Sequence, residues 1–266
     1  NRKNQSTSYY GKYIDLSNNK FLNHYEKYFI RPLYSNPDSY YYDPIRDLKL
    51  LLQNKVPPIT TFNNFAKAAT EILFLYKINN ENIIKKIRLA EEAGAFAVGV
   101  DIDACGLVTL SLHGKPVVPK DLEQIKELVK STELPFILKG IMTVEDALMA
   151  VEAGADAIVV SNHGGRVLDC TPGAADVLPQ IAKAVKGKTK ILADGGVRTG
   201  VDVLKLIALG ADGVLIGRPF VTASFGGGSE GVELYVNKII SELEATMRLT
   251  GCATIADIDE RVIFNG

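Results

Sequence analysis

An imidazole and a guanidinium lie three positions apart in a short glycine-containing segment, at His163 and Arg166. The segment follows the apolar run 157–160, which predicts a buried strand, so both side chains come where that strand ends. Gly164 and Gly165 let the backbone turn sharply between them. A histidine can take a proton, and an arginine can bind a carboxylate through paired hydrogen bonds. The pair therefore suits a substrate that has a proton to lose and a carboxylate to anchor.

A polar or glycine-rich group follows each of the six strands that the apolar runs predict. Those strands are 72–76, 97–100, 136–138, 157–160, 190–193 and 213–216. The groups that follow these strands in the sequence are Lys77, Asp101 with Asp103, Lys139, the His163 segment, residues 194–200 and residues 217–219. Charges scattered over a surface would not keep this register with the strand ends. The register therefore predicts a single pocket assembled from these ends.

An alanine–glycine pattern recurs along the chain and predicts the fold. Residues 90–100, 150–160 and 206–216 each read as a helix that ends at a glycine and leads into a buried strand. The copies are 60 and 56 residues apart, which is the length of two strand–helix units. Apolar strands that alternate with helices are typical of a parallel sheet. We expect an α/β protein of the (β/α)8 TIM-barrel type, incomplete, with about six recognisable units.

Composition separates an amino-terminal segment from the barrel. Gly11 is the only glycine before Gly94, whereas nine of the eleven tyrosines occur by Tyr42. Residues 1–57 are therefore predicted to be an irregular segment rich in Tyr and Asn, and residues 58–266 to form the barrel domain. Helices within the barrel domain are predicted at 82–93, 122–129, 144–153, 201–209 and 232–249.

The charge and cysteine content argue against several classes of function. Lys and Arg total 30 against 31 for Asp and Glu, which gives no reason to expect nucleic acid or an anionic membrane as partner. No apolar run is long enough to span a membrane and no signal pattern is present, so a cytoplasmic protein is expected. Cys105, Cys170 and Cys252 are widely spaced, which predicts neither a zinc site nor a disulfide framework.

The last two strand ends have the composition of an anion site. Both are glycine-rich, both precede predicted helices, and they carry Arg198 and Arg218. Backbone N–H groups at the start of a helix bind phosphate, and arginine adds positive charge. We expect a phosphate-bearing cofactor or substrate here, although glycine-rich turns also serve as tight links between elements.

Three further side chains have more than one interpretation. Lys139 could stabilise negative charge on a cofactor or enolate, form a Schiff base, or be a solvated surface lysine. His163 is interpreted as a catalytic base rather than a structural histidine, because Arg166 and two glycines accompany it. Asp101 could orient that histidine or only cap a helix or loop.

Four motifs occur in order along the chain. They are ILKG at 137–140, SNHGGR at 161–166 with Asp169, DGGVRTG at 194–200 with Asp202 and Lys205, and ALGA at 208–211 with IGRP at 216–219. Together they resemble the FMN-dependent 2-hydroxy-acid oxidising enzymes, the family of lactate oxidase and glycolate oxidase. The resemblance covers residues 72–266 and implies a barrel that binds FMN and oxidises a small (S)-2-hydroxy acid. A homo-oligomer is compatible with this resemblance.

The resemblance implies a role for each site residue. His163 would take the hydroxyl proton while hydride passes from the α-carbon to flavin N5, and Asp101 would pair with His163. Arg166 would hold the substrate carboxylate, Lys139 would lie by flavin N1 and O2, and Ser161 would contact the flavin. The residues implied to hold the ribityl phosphate are Asp194, Gly195, Gly196, Arg198, Gly217 and Arg218.

Several positions differ from the family pattern. Gly99 stands where the family usually has threonine, and the second carboxylate-binding arginine has no counterpart in 104–118. The first two strand–helix units have no recognisable counterpart before residue 72. Two alternatives therefore remain: a truncated, catalytically impaired relative that binds phosphate or FMN weakly, or a different FMN barrel enzyme such as an isomerase.

Overall fold

The computed structural model describes residues 72–75, 80–106 and 119–264. The predictions for the segment 1–57, for Lys77 and for the first two strand–helix units lie outside these residues. Most of the loop 104–118 lies outside them as well. Among the described helices, none combines the length and the apolar composition that crossing a membrane requires.

Within the described residues, six parallel strands form one sheet in the order in which they occur along the chain. They are β1 (Ile72–Leu75), β2 (Ala97–Asp101), β3 (Phe136–Ile141), β4 (Ala157–Val160), β5 (Lys190–Ala193) and β6 (Gly213–Val214). Each strand pairs with the next in the same direction, so all their carboxyl ends meet at one edge. The predicted barrel-type succession of six β/α units is confirmed.

A helix lies in each crossover between these strands, and one more helix follows β6. These helices are α1 (Asn80–Glu92), α2 (Leu122–Lys130), α3 (Val144–Ala153), α4 (Ala174–Val185), α5 (Gly200–Ala208) and α6 (Arg218–Thr250). The helix α4 was not among the predicted ones. It contains Pro179, a residue that normally interrupts a helix, yet it buries Leu178, Ile181 and Val185 against the core. Burial of this apolar face outweighs the local cost of the proline.

The helix α6 begins earlier than the predicted 232–249. It starts at Arg218 and changes direction at Gly228, whose φ of 58° and ψ of −142° are not helical. The run Gly226-Gly227-Gly228 weakens helix propensity, and so the sequence pattern indicates helix only beyond it. As a result, the first half of α6 lies directly against the carboxyl edge of the sheet, where it lines the cavity described below.

The two faces of the sheet are buried against different neighbours. Val98, Leu138 and Ile158 lie in the main core with the helices, whereas Ile137 and Val159 lie in a smaller cluster on the opposite face. Because side chains alternate along a strand, residues spaced by two from this smaller cluster share its face. These residues are Asp101, Lys139 and Ser161, and all three are buried. Side-chain alternation thus places these three polar groups on the face of the smaller cluster, at the carboxyl edge of the sheet.

Candidate active site

A sharp turn after β4 places the imidazole of His163 at the carboxyl edge. The backbone N–H of His163 donates to Ser161 Oγ at 3.1 Å, and Gly165 N–H donates to Asn162 Oδ1 at 3.1 Å. His163 itself adopts a left-handed conformation with φ of 58°. Strain of this kind is found where surrounding contacts hold a functional residue in place. The turn therefore fixes the imidazole rather than leaving it on a loose loop.

Two carboxylates lie next to the Nδ1 atom of His163. Asp103 Oδ1 is 3.0 Å from Nδ1, whereas Asp101 Oδ2 is 3.6 Å away. Asp101 accepts a hydrogen bond at 2.8 Å from the Nζ of Lys139, on the neighbouring strand. The sequence analysis named Asp101 as the partner of His163 and did not include Asp103 among the site residues. The Asp-x-Asp spacing at the end of β2 was the signal available for it.

Lys139 joins this group from within β3 rather than after it. The strand extends to Ile141, three residues beyond its predicted end, with a shift in pairing register between Lys139 and Ile141. The Lys139 side chain is largely buried, and its ammonium balances the charge of Asp101. The two aspartates and the histidine also have the ligand types of a cation site, but Lys139 already supplies the cationic charge. The cluster is therefore a charged hydrogen-bonding network.

The titration of the cluster follows from these contacts. The carboxylates of Asp101 and Asp103 raise the pKa of His163 to about 9, because both stabilise the imidazolium. Burial raises the pKa of Asp103 to about 6, with Asp101 adding to the effect. Burial also opposes ionisation of Asp101, but the neighbouring His163, Asp103 and Lys139 lower its pKa below the ordinary range.

The raised pKa of His163 predicts a loss of stability at alkaline pH. The folded state holds a proton that the unfolded state releases near pH 6.5, so this contribution is complete below 6.5 and disappears as pH rises through about 9. The difference in free energy of unfolding between the wild type and His163→Asn should therefore shrink over this interval. Urea unfolding at several pH values measures it; a difference independent of pH would contradict the prediction.

A cavity of about 950 Å³ opens beside this cluster along the carboxyl ends of β3 to β6. His163, Lys139 and Arg166 line one end of it. The Nε of Arg166 donates to the carbonyl oxygen of His163 at 3.0 Å, which leaves the terminal nitrogens of the guanidinium for an anionic ligand. The predicted pairing of imidazole and guanidinium at one mouth is thus present in the cavity wall.

The other end of the cavity is lined by glycines and arginines after β5 and β6. Gly195 and Gly196 adopt positive φ angles of 102° and 75°, and Arg198 and Arg218 also line this end. Asp194 Oδ1 is buried there without a hydrogen-bond partner among the described residues. A buried acceptor of this kind needs a donor, which a polyhydroxylated ligand would provide.

The two helix starts at this end are not equivalent. The first turn of α5 is largely satisfied, because Gly200 N–H donates to Glu242 Oε2 at 2.9 Å and Asp202 N–H donates to Thr199 Oγ1 at 3.2 Å. By contrast, α6 begins after Gly217, which makes no side-chain cap. The Gly217 carbonyl oxygen accepts from the N–H groups of Phe220 and Val221, at 3.0 and 3.3 Å, and Pro219 has no N–H to offer. The positive charge for an anion at these two strand ends therefore comes mainly from Arg198 and Arg218.

Tyr235 also belongs to this wall, although the sequence analysis did not identify it. Its hydroxyl donates to the carbonyl oxygen of Arg198 at 2.9 Å, and its ring meets Phe220 edge to face at 5.1 Å. These contacts tie the two halves of α6 to the loop after β5. The tyrosine lies within a helix, so only the folded arrangement brings it to the arginine.

Ser161, which the resemblance implies as a flavin contact, is fully buried and does not line the cavity. It accepts from the backbone N–H of His163 instead. Two of the three cysteines, Cys105 and Cys170, are exposed, and Cys252 is buried.

Comparison with known proteins identifies the family of this chain. Residues 108–265, more than half of the chain, match the model of the FMN-dependent dehydrogenase family. A peroxisomal (S)-2-hydroxyacid oxidase of Arabidopsis thaliana is 50% identical over 139 residues, which are 52% of this chain and 38% of that protein. An L-lactate oxidase of Lactobacillus jensenii is 51% identical over 140 residues, which are 53% of this chain and 34% of that protein. The matches thus span little more than a third of these relatives.

Solved structures agree with this assignment. Mandelate oxidase, crystallised with 3,3-difluoro-2-hydroxy-3-phenylpropionic acid, superposes with a TM-score of 0.65 at 36% identity, over 70% of this chain and 61% of that one. A mutant of mandelate oxidase with an FMN adduct superposes with a TM-score of 0.63 at 37% identity, over 70% and 60% of the two chains. The match in sequence and the match in fold lead to one conclusion: this chain belongs to the FMN-dependent dehydrogenase family.

Proposed function

We propose that this chain binds FMN and oxidises a small (S)-2-hydroxy acid of the lactate or glycolate kind to the 2-oxo acid. The observation that carries the proposal is the arrangement of the cavity. A histidine held by carboxylates and an arginine line one end of it, and a glycine-lined cationic end follows at β5 and β6. The relatives that match are named as oxidases or dehydrogenases of such acids.

The residues at the cationic end fit FMN. Asp194 Oδ1 is a buried acceptor without a partner, suited to a ribityl hydroxyl. A Cβ added at Gly196 or Gly217 would meet no atom within 4 Å, so the wall there is open to a ligand. Arg198 and Arg218, with Gly217 beside them in the cavity wall, would hold the phosphate. The fit therefore rests on a hydrogen-bond acceptor, an anion site and open space.

The reaction divides between the cofactor and the chain. When bound, FMN supplies the two-electron acceptor that takes the hydride from the α-carbon. Lys139 places a buried positive charge near the reacting groups, where it stabilises developing negative charge. Ser161 supports the turn that carries His163.

Two residues of the chain act on the substrate: one accepts its hydroxyl proton and the other binds its carboxylate. Because Nδ1 of His163 faces the carboxylates, Nε2 is the nitrogen that takes the hydroxyl proton, and it does so in the neutral form of the imidazole, which predominates above the pKa of about 9. The α-hydroxyl carbon then becomes the carbonyl carbon as its hydride leaves. Arg166 binds the substrate carboxylate through its terminal nitrogens and so fixes the α-carbon relative to the imidazole.

A flavin spectrum tests the proposal directly. The purified chain, incubated with FMN and desalted, should remain yellow. Its flavin absorbance at about 450 nm should disappear when lactate or glycolate is added without oxygen. A chain that retains FMN but is not bleached by these or other 2-hydroxy acids would contradict the reaction. A chain that cannot retain FMN would support the impaired relative instead.

Replacement of Arg218 by alanine should weaken FMN binding. A hydrogen bond to a charged group contributes about 1.5–3 kcal/mol, so the dissociation constant should rise roughly 10- to 150-fold. Fluorescence titration of FMN measures the change. Arg248→Ala is the matched control, because Arg248 is an exposed arginine whose ion pair is with Glu244 at 3.7 Å. Equal affinities for the two variants would refute the phosphate role of Arg218.

A further inference from the structure

The imidazole of His163 has two candidate carboxylate partners, and they are not equivalent. Asp103 Oδ1 lies within hydrogen-bond distance of Nδ1 at 3.0 Å. Asp101 Oδ2 lies at 3.6 Å, beyond the range of a well-formed hydrogen bond. The same Asp101 oxygen accepts from Lys139 at 2.8 Å, so its lone pairs already serve another cation.

The backbone brings Asp103 to this position by a specific arrangement. A short 3-10 helix, Ile102–Gly106, begins directly after β2 and turns Asp103 toward β3. There it packs against Gly140, where an added Cβ would lie 2.7 Å from Asp103 Cβ and 2.8 Å from Asp103 Cγ. Gly140 also has a positive φ of 98°. A glycine at this point of β3 is therefore what lets Asp103 approach the imidazole.

The charges around Asp103 are those of the same cluster. Asp101 faces it from β2, Lys139 from β3 and His163 from the turn after β4. Asp103 Oδ2 is buried without a partner among the described residues, and its Oδ1 contacts the imidazole. One carboxylate is thus matched to the lysine and the other to the histidine, which leaves neither cation without a partner.

We infer that Asp103 is the positioning residue of His163: it accepts a hydrogen bond from Nδ1–H, so that Nε2 of the neutral imidazole is left for the substrate, while Asp101 is held by Lys139. The inference rests on the proposed function, because the free Nε2 matters only if His163 is the base. It assigns to Asp103 the role that the sequence analysis gave to Asp101. A fixed tautomer is what a neighbouring carboxylate provides to a catalytic histidine.

The test compares Asp103→Asn with Asp101→Asn in the full chain loaded with FMN. For Asp103→Asn, the midpoint of the His163 titration in nitrogen-15 NMR should fall by about one pH unit or more, since its charged hydrogen-bond partner is lost. The first-order rate of flavin reduction should fall at least about tenfold with KM changed less than about threefold, because substrate binding does not involve Asp103. For Asp101→Asn, the shift of the His163 midpoint should be smaller.

The opposite result would overturn the inference. If Asp101→Asn shifts the His163 midpoint and Asp103→Asn does not, Asp101 is the positioning residue. His163→Asn identifies the His163 signal among the three histidines of the chain. If lactate and glycolate do not reduce the wild-type flavin, the proposed function fails by itself, and the NMR comparison still decides which aspartate accepts the hydrogen bond from Nδ1–H.

Discussion

His163→Asn should slow flavin reduction by a 2-hydroxy acid by about 100- to 10,000-fold, which is the usual contribution of a general base. The loss follows because Nε2 of His163 is the one imidazole nitrogen not engaged by the carboxylates. Asparagine is the suitable replacement, since it tolerates the left-handed conformation that His163 adopts at φ of 58°. Anaerobic mixing with substrate, followed through the flavin absorbance, measures the rate.

The control for this variant is its affinity for FMN. The proposed phosphate ligands are Arg198 and Arg218 and not the imidazole, so the dissociation constant should change less than about threefold. An unchanged reduction rate would rule out His163 as the base. A loss of FMN with the loss of rate would instead indicate a structural role for the turn after β4.

Gly200→Ala should destabilise the fold more than other glycine substitutions in the described helices of the carboxyl-terminal part. Gly200 opens α5 against α6, and an added Cβ would collide with the backbone N of Leu243 and the carbonyl O of Ile239 and approach Glu242 C to 2.7 Å. Overpacking of this kind costs about 1–3 kcal/mol, which lowers Tm by roughly 2–12 °C for a chain of this size. Thermal unfolding followed by circular dichroism measures it.

Gly226→Ala is the matched control for this substitution. Gly226 is also helical, but an added Cβ there would meet no atom within 4 Å. The change should leave Tm unchanged or raise it slightly, because alanine favours a helix over glycine by about 1 kcal/mol. If both variants melt at the same temperature, the close contact between α5 and α6 is not a stability determinant.

Much of the architecture could be predicted because its causes are local. The strand β4 and the helix α3 have the predicted bounds, since a run of apolar residues and a capped amphipathic stretch specify them directly. Thr143 caps α3 by accepting from Asp146 N–H, as the sequence pattern indicates. The helix α4 escaped prediction because Pro179 contradicts helix locally and only the surrounding core outweighs it.

By itself the sequence determined the order of the strands and which polar residues follow each of them, because side-chain alternation and strand ends are properties of neighbouring residues. Only the tertiary structure decided how those residues pair. Asp103 reaches His163 across 60 positions of sequence because Gly140, on another strand, leaves room for it. Similarly, only the fold shows that Glu242 of α6 accepts from Gly200 N–H at the start of α5. Such choices depend on distances between segments, which no local pattern encodes.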